Sequence, residues 1–216
     1  MAERPDEAAR QRRYVKDLTA KLPPAVQAKL LFEHFTETSH PNCAILHIPS
    51  CRDILASTYE TIKSGDMPDI ENILLLFGIF AGAAYLWSSP LLQNLHATRA
   101  EAEAAFVEYS RLGISVIDNT VRPLRPSTTT LAAMCNLLHV TGHARGMSDY
   151  SGSLRMKCYA MARSLQGDRL DTTNSRLERA QKGCNMIEIE VQRRIWWYLV
   201  GGDWCVSVDK RSLEEI

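Results

Sequence analysis

No CxxC pair occurs in this chain. Its six cysteines stand at 43, 51, 135, 158, 184 and 205, and no two are within seven residues of each other. No secretory leader is expected, because the opening MAERPDEAARQRR is charged throughout. The cysteines are therefore read as reduced, intracellular and mostly core residues, not as a disulfide framework. Net charge is absent too. Lys plus Arg and Asp plus Glu balance at 25 each, which counts against the basic surface typical of nucleic-acid binding. The longest apolar run, Ile73 to Trp87, has 15 residues, short of the ~20 a membrane span requires. It reads as a buried core helix. No GxSxG, P-loop or dinucleotide fingerprint is present. What remains is 45% hydrophobic and 23% charged, ordinary for a globular protein. A single domain of 216 residues can bury roughly 70% of its unfolded surface.

Helix signals recur and strand signals are few. Residues 1–20 are polar and are expected as a mobile or frayed N-terminal tail. Residues 21–216 are expected to form one all-α domain. Pro24 suits a helix start ahead of AVQAKLLFEHF, which has apolar residues at helical spacing. HPNCAILHIPS is extended and ends at Ser50, an expected N-cap with Asp53 favouring the positive helix end. The apolar helix follows from about Asp69 to Trp87. Ser89 as cap and Pro90 in the first turn open a long helix expected to run to about Thr120. Prolines in RPLRP end it. Ser127 caps the next helix, Gly146 stops it, and another covers roughly Ser148 to Leu165. QGDRLDTTN is a loop, and a last helix is expected from Leu177 to Val200, stopping at Gly201-Gly202. The spacing predicts seven or eight helices packed as antiparallel helical hairpins.

The stretch EIEVQRRIWWYLVGGDW concentrates costly residues: Glu190, an Arg193-Arg194 pair, a Trp196-Trp197 pair, then Asp203. In this order it resembles the fungal-specific transcription factor domain, the middle homology region of zinc-cluster regulators. Further segments resemble that family in sequence order: HPNCAILHIPS, ILLLFGIFAGAAYLW, PSTTTLAAMCNLLHVTGHARG and LRMKCYAMARSLQGDR. The resemblance covers about residues 22–208. The chain departs from the family in three places. The binuclear zinc cluster with its CxxC pairs is missing. The family's Leu-His-Arg turn is replaced by Leu165 to Arg169. The Gly-Arg-Pro motif and later helices expected after Asp203 are replaced by VDKRSLEEI. The resemblance thus implies a truncated domain without its DNA reader and without the C-terminal part.

Ile187, Val191, Ile195 and Leu199 form a helical stripe, widened by Ile189, Trp196 and Val200. Glu190 and Arg194 have the favoured ion-pair spacing. Arginine can lay its stem and flat head on tryptophan. The six motif residues are therefore expected to form a buried polar lock at a helix junction, or else to contact a ligand. His139 and His143 share one helix face, as metal ligands sometimes do. They lack the neighbouring Glu of zinc hydrolases and a third ligand, so no metal is assigned. GMSDYSGS reads as a helix start capped by Ser148.

The resemblance implies a stand-alone regulatory domain linked to secondary metabolism, nuclear, acting with a homodimeric copy or a partner regulator and binding no specific DNA alone. The residues leave a second reading open. It is a cytoplasmic, cofactor-independent enzyme on the same fold, a cyclase, Diels-Alder-type catalyst or isomerase. Such an enzyme would bind an apolar terpenoid or polyketide and lower its entropy barrier. A donor from among His139, His143, Arg145 and Tyr150 would polarise the substrate. Neither reading requires a cofactor or a membrane.

Overall fold

In the computed structural model, residues 5–146 and 148–214 are described, with side chains described over 9–146 and 148–203. These residues form ten α-helices and two short 3-10 turns, with no strand among the described residues. The helices are α1 (Pro5–Thr19), α2 (Ala25–Thr38), α3 (Ile48–Lys63), α4 (Ile70–Tyr85), α5 (Ser89–Leu95), α6 (Arg99–Ile117), α7 (Thr128–Arg145), α8 (Asp149–Ser164), α9 (Thr173–Lys182) and α10 (Met186–Glu214).

α4 is the hub. Every residue from Ile73 to Ala84 is buried, so this helix has no polar face to turn to water. At roughly 1.5–3 kcal/mol for each large apolar side chain buried, no other element contributes as much. It packs chiefly against α7, α6 and α2. Two glycines permit that closeness. A Cβ at Gly78 would lie 2.9 Å from Asn136 Nδ2 of α7, and one at Gly82 would lie 2.9 Å from both Phe35 Cδ2 and Ser39 Oγ. The first turns of α4 and α7 are tied by Glu71, whose Oε2 accepts from Ser127 Oγ at 2.5 Å and Thr130 Oγ1 at 3.0 Å.

The all-α expectation holds, but the count rises to ten among the described residues for three local reasons. α1 is a helix within the segment expected as a tail, and its Val15 and Leu18 are buried. The helix expected over 89–120 is two helices. His96 adopts left-handed φ 50°, and a capping box restarts the chain: Thr98 Oγ1 accepts from the Glu101 N–H while Glu101 accepts from the Thr98 N–H. The last expected helix is also divided, because Gly183 has φ 74° and ends α9. Three end assignments shift as well. The α3 cap is His47, whose Nδ1 accepts from the Ser50 N–H at 3.3 Å, so Ser50 lies inside the first turn. Ser88, not Ser89, caps α5. α10 continues through Gly201 and Gly202 to Glu214. Ser127, Ser148 and Gly146 act as expected.

Hairpin packing is not the organising unit. The most extensive contacts join helices distant in sequence, α4 with α7, α6 and α2, whereas α7 with α8 is the main consecutive pair. α4 and α5 are bent by 119°. α9 buries no residue, and a helix of ten residues without a packed face has little stability of its own.

Candidate functional site: the arginine-tryptophan face of α10

α10 reaches the core through Val191, Ile195 and Leu199, all buried. They recur every four residues, so one stripe faces α7 and α8. Ile187, expected in this stripe, is 47% exposed, because the helix begins at Met186 before it reaches the core. Polar side chains fix the rest of its register. Gln192 Nε2 donates to Thr128 Oγ1 at 2.6 Å, and that hydroxyl donates to Glu188 Oε1 at 2.7 Å. This chain holds the start of α10 against the first turn of α7.

The two arginines act on different neighbours. Arg193 forks onto Asp171 in the segment before α9, with Nε and Nη2 each donating at 2.9 Å to separate carboxylate oxygens. Its Nη1 donates to Glu190 at 2.6 Å. Arg194 Nε donates to the other Glu190 oxygen at 3.0 Å, and its Nη1 reaches the Ala44 carbonyl at 3.5 Å. One helix face thus ties together the segment after α8, α10 itself and the loop before α3. Hydrogen bonds from Arg193 hold the Asp171 carboxyl below its ordinary value. Those from Arg194 and then Arg193 do the same for Glu190. The Arg193 guanidinium is correspondingly raised, first by Asp171. The network is not buried as the sequence reading expects. Side-chain exposure is 30% for Arg193, 43% for Glu190 and 41% for Asp171. Water therefore screens it, and the large penalty for breaking a buried pair does not apply.

The tryptophans divide the same way. Trp196 packs on the core and meets the Tyr159 ring edge-on, with centroids 6.0 Å apart. Trp197 is 59% exposed. Asp203 lies beside Tyr159, whose phenol is raised by burial and then by the Asp203 charge and hydrogen bond. Gly202 has a role the sequence did not reveal: a Cβ there would collide with the Arg155 guanidinium of α8. Nε and Nη1 of Arg155 are buried without a hydrogen-bond partner. Nearby, burial and then Cys158 push the Cys135 thiol well up, and burial pushes Cys43 up to about 12. Such thiols are inert. Cys43, Cys51, Cys135 and Cys158 are free and buried, Cys184 is free and exposed, and Cys205 lies outside the described side chains.

The four candidate catalytic residues are not gathered in the cavity beside α1 or in the cleft between α3, α7 and α10. His139 and His143 are adjacent, with ring centroids 4.3 Å apart, and His139 meets Tyr198 edge-on at 5.9 Å. Burial, and then the His143 charge, lowers the His139 pKa to about 4. No group of three metal-donor side chains exists among the described residues. Arg145 lies over the Phe106 ring at 5.8 Å. The Tyr150 hydroxyl is buried, and its pKa is raised by burial and then by Asp118. None of the four lines the 450 Å³ cavity beside α1 or the 270 Å³ cleft between α3, α7 and α10. Sequence reasoning missed Asp171, Arg155, Gly202 and the Thr128–Glu188–Gln192 chain. Only the Glu188–Gln192 spacing left a signal, the i, i+4 pairing on one helix.

Comparison with known proteins bears on the chain as a whole. The chain is 26% identical over 192 residues to the agnestins biosynthesis cluster transcription factor AgnL11 of Paecilomyces divaricatus, covering 86% of this chain and 27% of that protein. It is 28% identical over 191 residues to the probable transcription factor lepB of Aspergillus flavus, covering 87% of this chain and 34% of that one. The chain therefore spans about a third or less of the curated relatives it matches. No family model matches the sequence, and no solved structure matches it. Among the described residues no single helix is long and apolar enough to cross a membrane.

Proposed function

We propose that these residues form a regulatory domain of the fungal-specific transcription factor type, serving control of a biosynthetic gene cluster. The observation that carries this reading is the similarity to two proteins named as transcription factors, which extends over 86% and 87% of the chain. One of those names specifies a biosynthesis cluster. The 216 residues include no CxxC pair, so a zinc-cluster DNA reader is not among them. DNA specificity comes from elsewhere, in the same polypeptide or in a partner regulator or second copy. The nucleus is the corresponding place of action. In this reading Glu190, Arg193, Arg194 and Asp171 hold α10 to its neighbours as a structural lock, with Asp203 anchored at Tyr159.

The enzyme reading finds no observation in its favour: none of His139, His143, Arg145 and Tyr150 lines the 450 Å³ cavity or the 270 Å³ cleft. The test has two arms. Residues 1–216, fused to an unrelated DNA-binding domain, should change expression from a reporter carrying that domain's operator. The same residues unfused should give no mobility shift with cluster promoter DNA at physiological salt. An inert fusion that is folded and nuclear would overturn the regulatory reading. A sequence-specific shift by the unfused chain would overturn the statement on DNA.

A further inference from the structure

We infer that the 450 Å³ cavity between α1, the start of α4 and the loop after α6 is a binding site for a small organic acid. The volume lies within the range of small-molecule sites. Its walls are apolar in part, from Val15, Met67, Ile70 and Leu124. Three arginines, Arg12, Arg122 and Arg125, and two carboxylates, Asp69 and Glu71, also line it.

The charges are not equivalent. Glu71 Oε2 already accepts from Ser127 and Thr130, so that oxygen is turned to α7. Arg122 is already engaged. Arg12 and Arg125 line the cavity from two different elements and have no ion-pair partner among the described residues. Asp69 precedes α4 without capping it through its side chain, and Glu71 stands in its first turn, so both carboxylates of the lining already sit at the positive end of that helix. Two unpaired guanidiniums above apolar walls suit a ligand with a carboxylate at one end and a hydrocarbon body at the other. Arginine matches carboxylate geometry with two parallel N–H donors. A bare inorganic anion would leave Val15, Ile70 and Leu124 unused. This assignment stands apart from the regulatory reading, since the lining is the same whatever the chain controls.

The probe is 8-anilinonaphthalene-1-sulfonate, which combines an anionic group with an aromatic body. Its neutral counterpart is N-phenyl-1-naphthylamine. Saturable one-to-one binding of the anionic dye is expected, with the neutral dye at least about tenfold weaker. The Arg12→Gln/Arg125→Gln variant should weaken the anionic dye by about tenfold or more, the scale of a lost charge-assisted hydrogen bond. The control Arg10→Gln/Arg13→Gln, which removes equal charge from α1 outside the cavity, should bind as the parent does. Circular dichroism establishes that each variant is folded, and since all four arginines are exposed, each should be. Absence of dye binding, equal binding of the neutral dye, or equal loss in both variants would overturn the site. Displacement by inorganic phosphate at concentrations similar to the dye would overturn the organic-acid assignment.

Discussion

Arg193 and Asp171 are the pair on which the lock can be measured. The perturbation is a double-mutant cycle: Arg193→Ala, Asp171→Ala and both. The two carboxylate oxygens of Asp171 each accept from Arg193 at 2.9 Å, but the pair is 30% and 41% exposed. Exposed pairs couple by roughly 0.2–1 kcal/mol, with two-pronged geometry at the upper end. A coupling of about 1 kcal/mol follows. Arg193→Ala alone should cost more, about 1.5 kcal/mol, because the Glu190 contact at 2.6 Å and the packing of the arginine stem go with it. In a chain of this length 1 kcal/mol moves the thermal midpoint by roughly 2–4 °C. Urea unfolding followed by tryptophan fluorescence reads each corner, and the cycle isolates the pair. The sign with pH is fixed. Asp171 and Glu190 are held below their ordinary values in the folded state. Their contribution is therefore complete above the unfolded carboxylate range near ~4 and is lost as pH falls through the folded values. The coupling should be largest at pH 7 and shrink as the pH is lowered toward 3. Zero coupling at pH 7 would refute the lock, and so would a coupling that does not change with pH. A value above about 3 kcal/mol would refute the claim that water screens it.

Two further predictions separate packing from propensity and test the histidine pair. Gly82→Ala should destabilise by about 1–3 kcal/mol through overpacking against Phe35 and Ser39. Gly142→Ala, where no atom lies within 4 Å of the added carbon, should stabilise by about 0.5–1 kcal/mol. A Gly82→Ala variant as stable as the parent in chemical denaturation would show that α2 and α4 are not in contact at Gly82. His139, with its pKa lowered to about 4, should stay neutral at pH 5 when the imidazole resonances are followed by NMR. Because its folded value is depressed, its contribution is complete above the unfolded value near ~6.5 and is lost as pH falls toward 4. Titration of His139 near its ordinary value would mean that the ring is not packed against Tyr198.

Helix type was readable wherever one residue sufficed to signal it. Ser127, Ser148 and Gly146 bound α7 and the start of α8 because caps depend on chain neighbours alone. The burial of Ile73 to Ala84 was readable because a segment with no polar side cannot face water. Breaks were harder. No proline falls between Leu91 and Thr120, yet His96 turns left-handed there, and the Thr98–Glu101 box needed only four residues to announce itself. At the candidate site, Glu190 with Arg194 was readable from the helical repeat. The Asp171 fork was not, since 22 residues of loop and helix separate it from Arg193.

Local order along the chain decided the all-helical character, the caps and the apolar hub, since each depends on residues within a turn or two of one another. Which helices meet was decided only in three dimensions. Gly78 and Gly82 matter because α7 and α2 come close enough to need the missing side chains. Gly202 matters because a guanidinium from α8 occupies its space. Of the four catalytic candidates only His139 and His143, one turn apart on α7, have their rings in contact. A helix fixes spacing along itself, but a site requires several helices to present side chains to one volume. The cavity beside α1 is one such volume, lined by Arg12 and Arg125, which are more than a hundred residues apart along the chain.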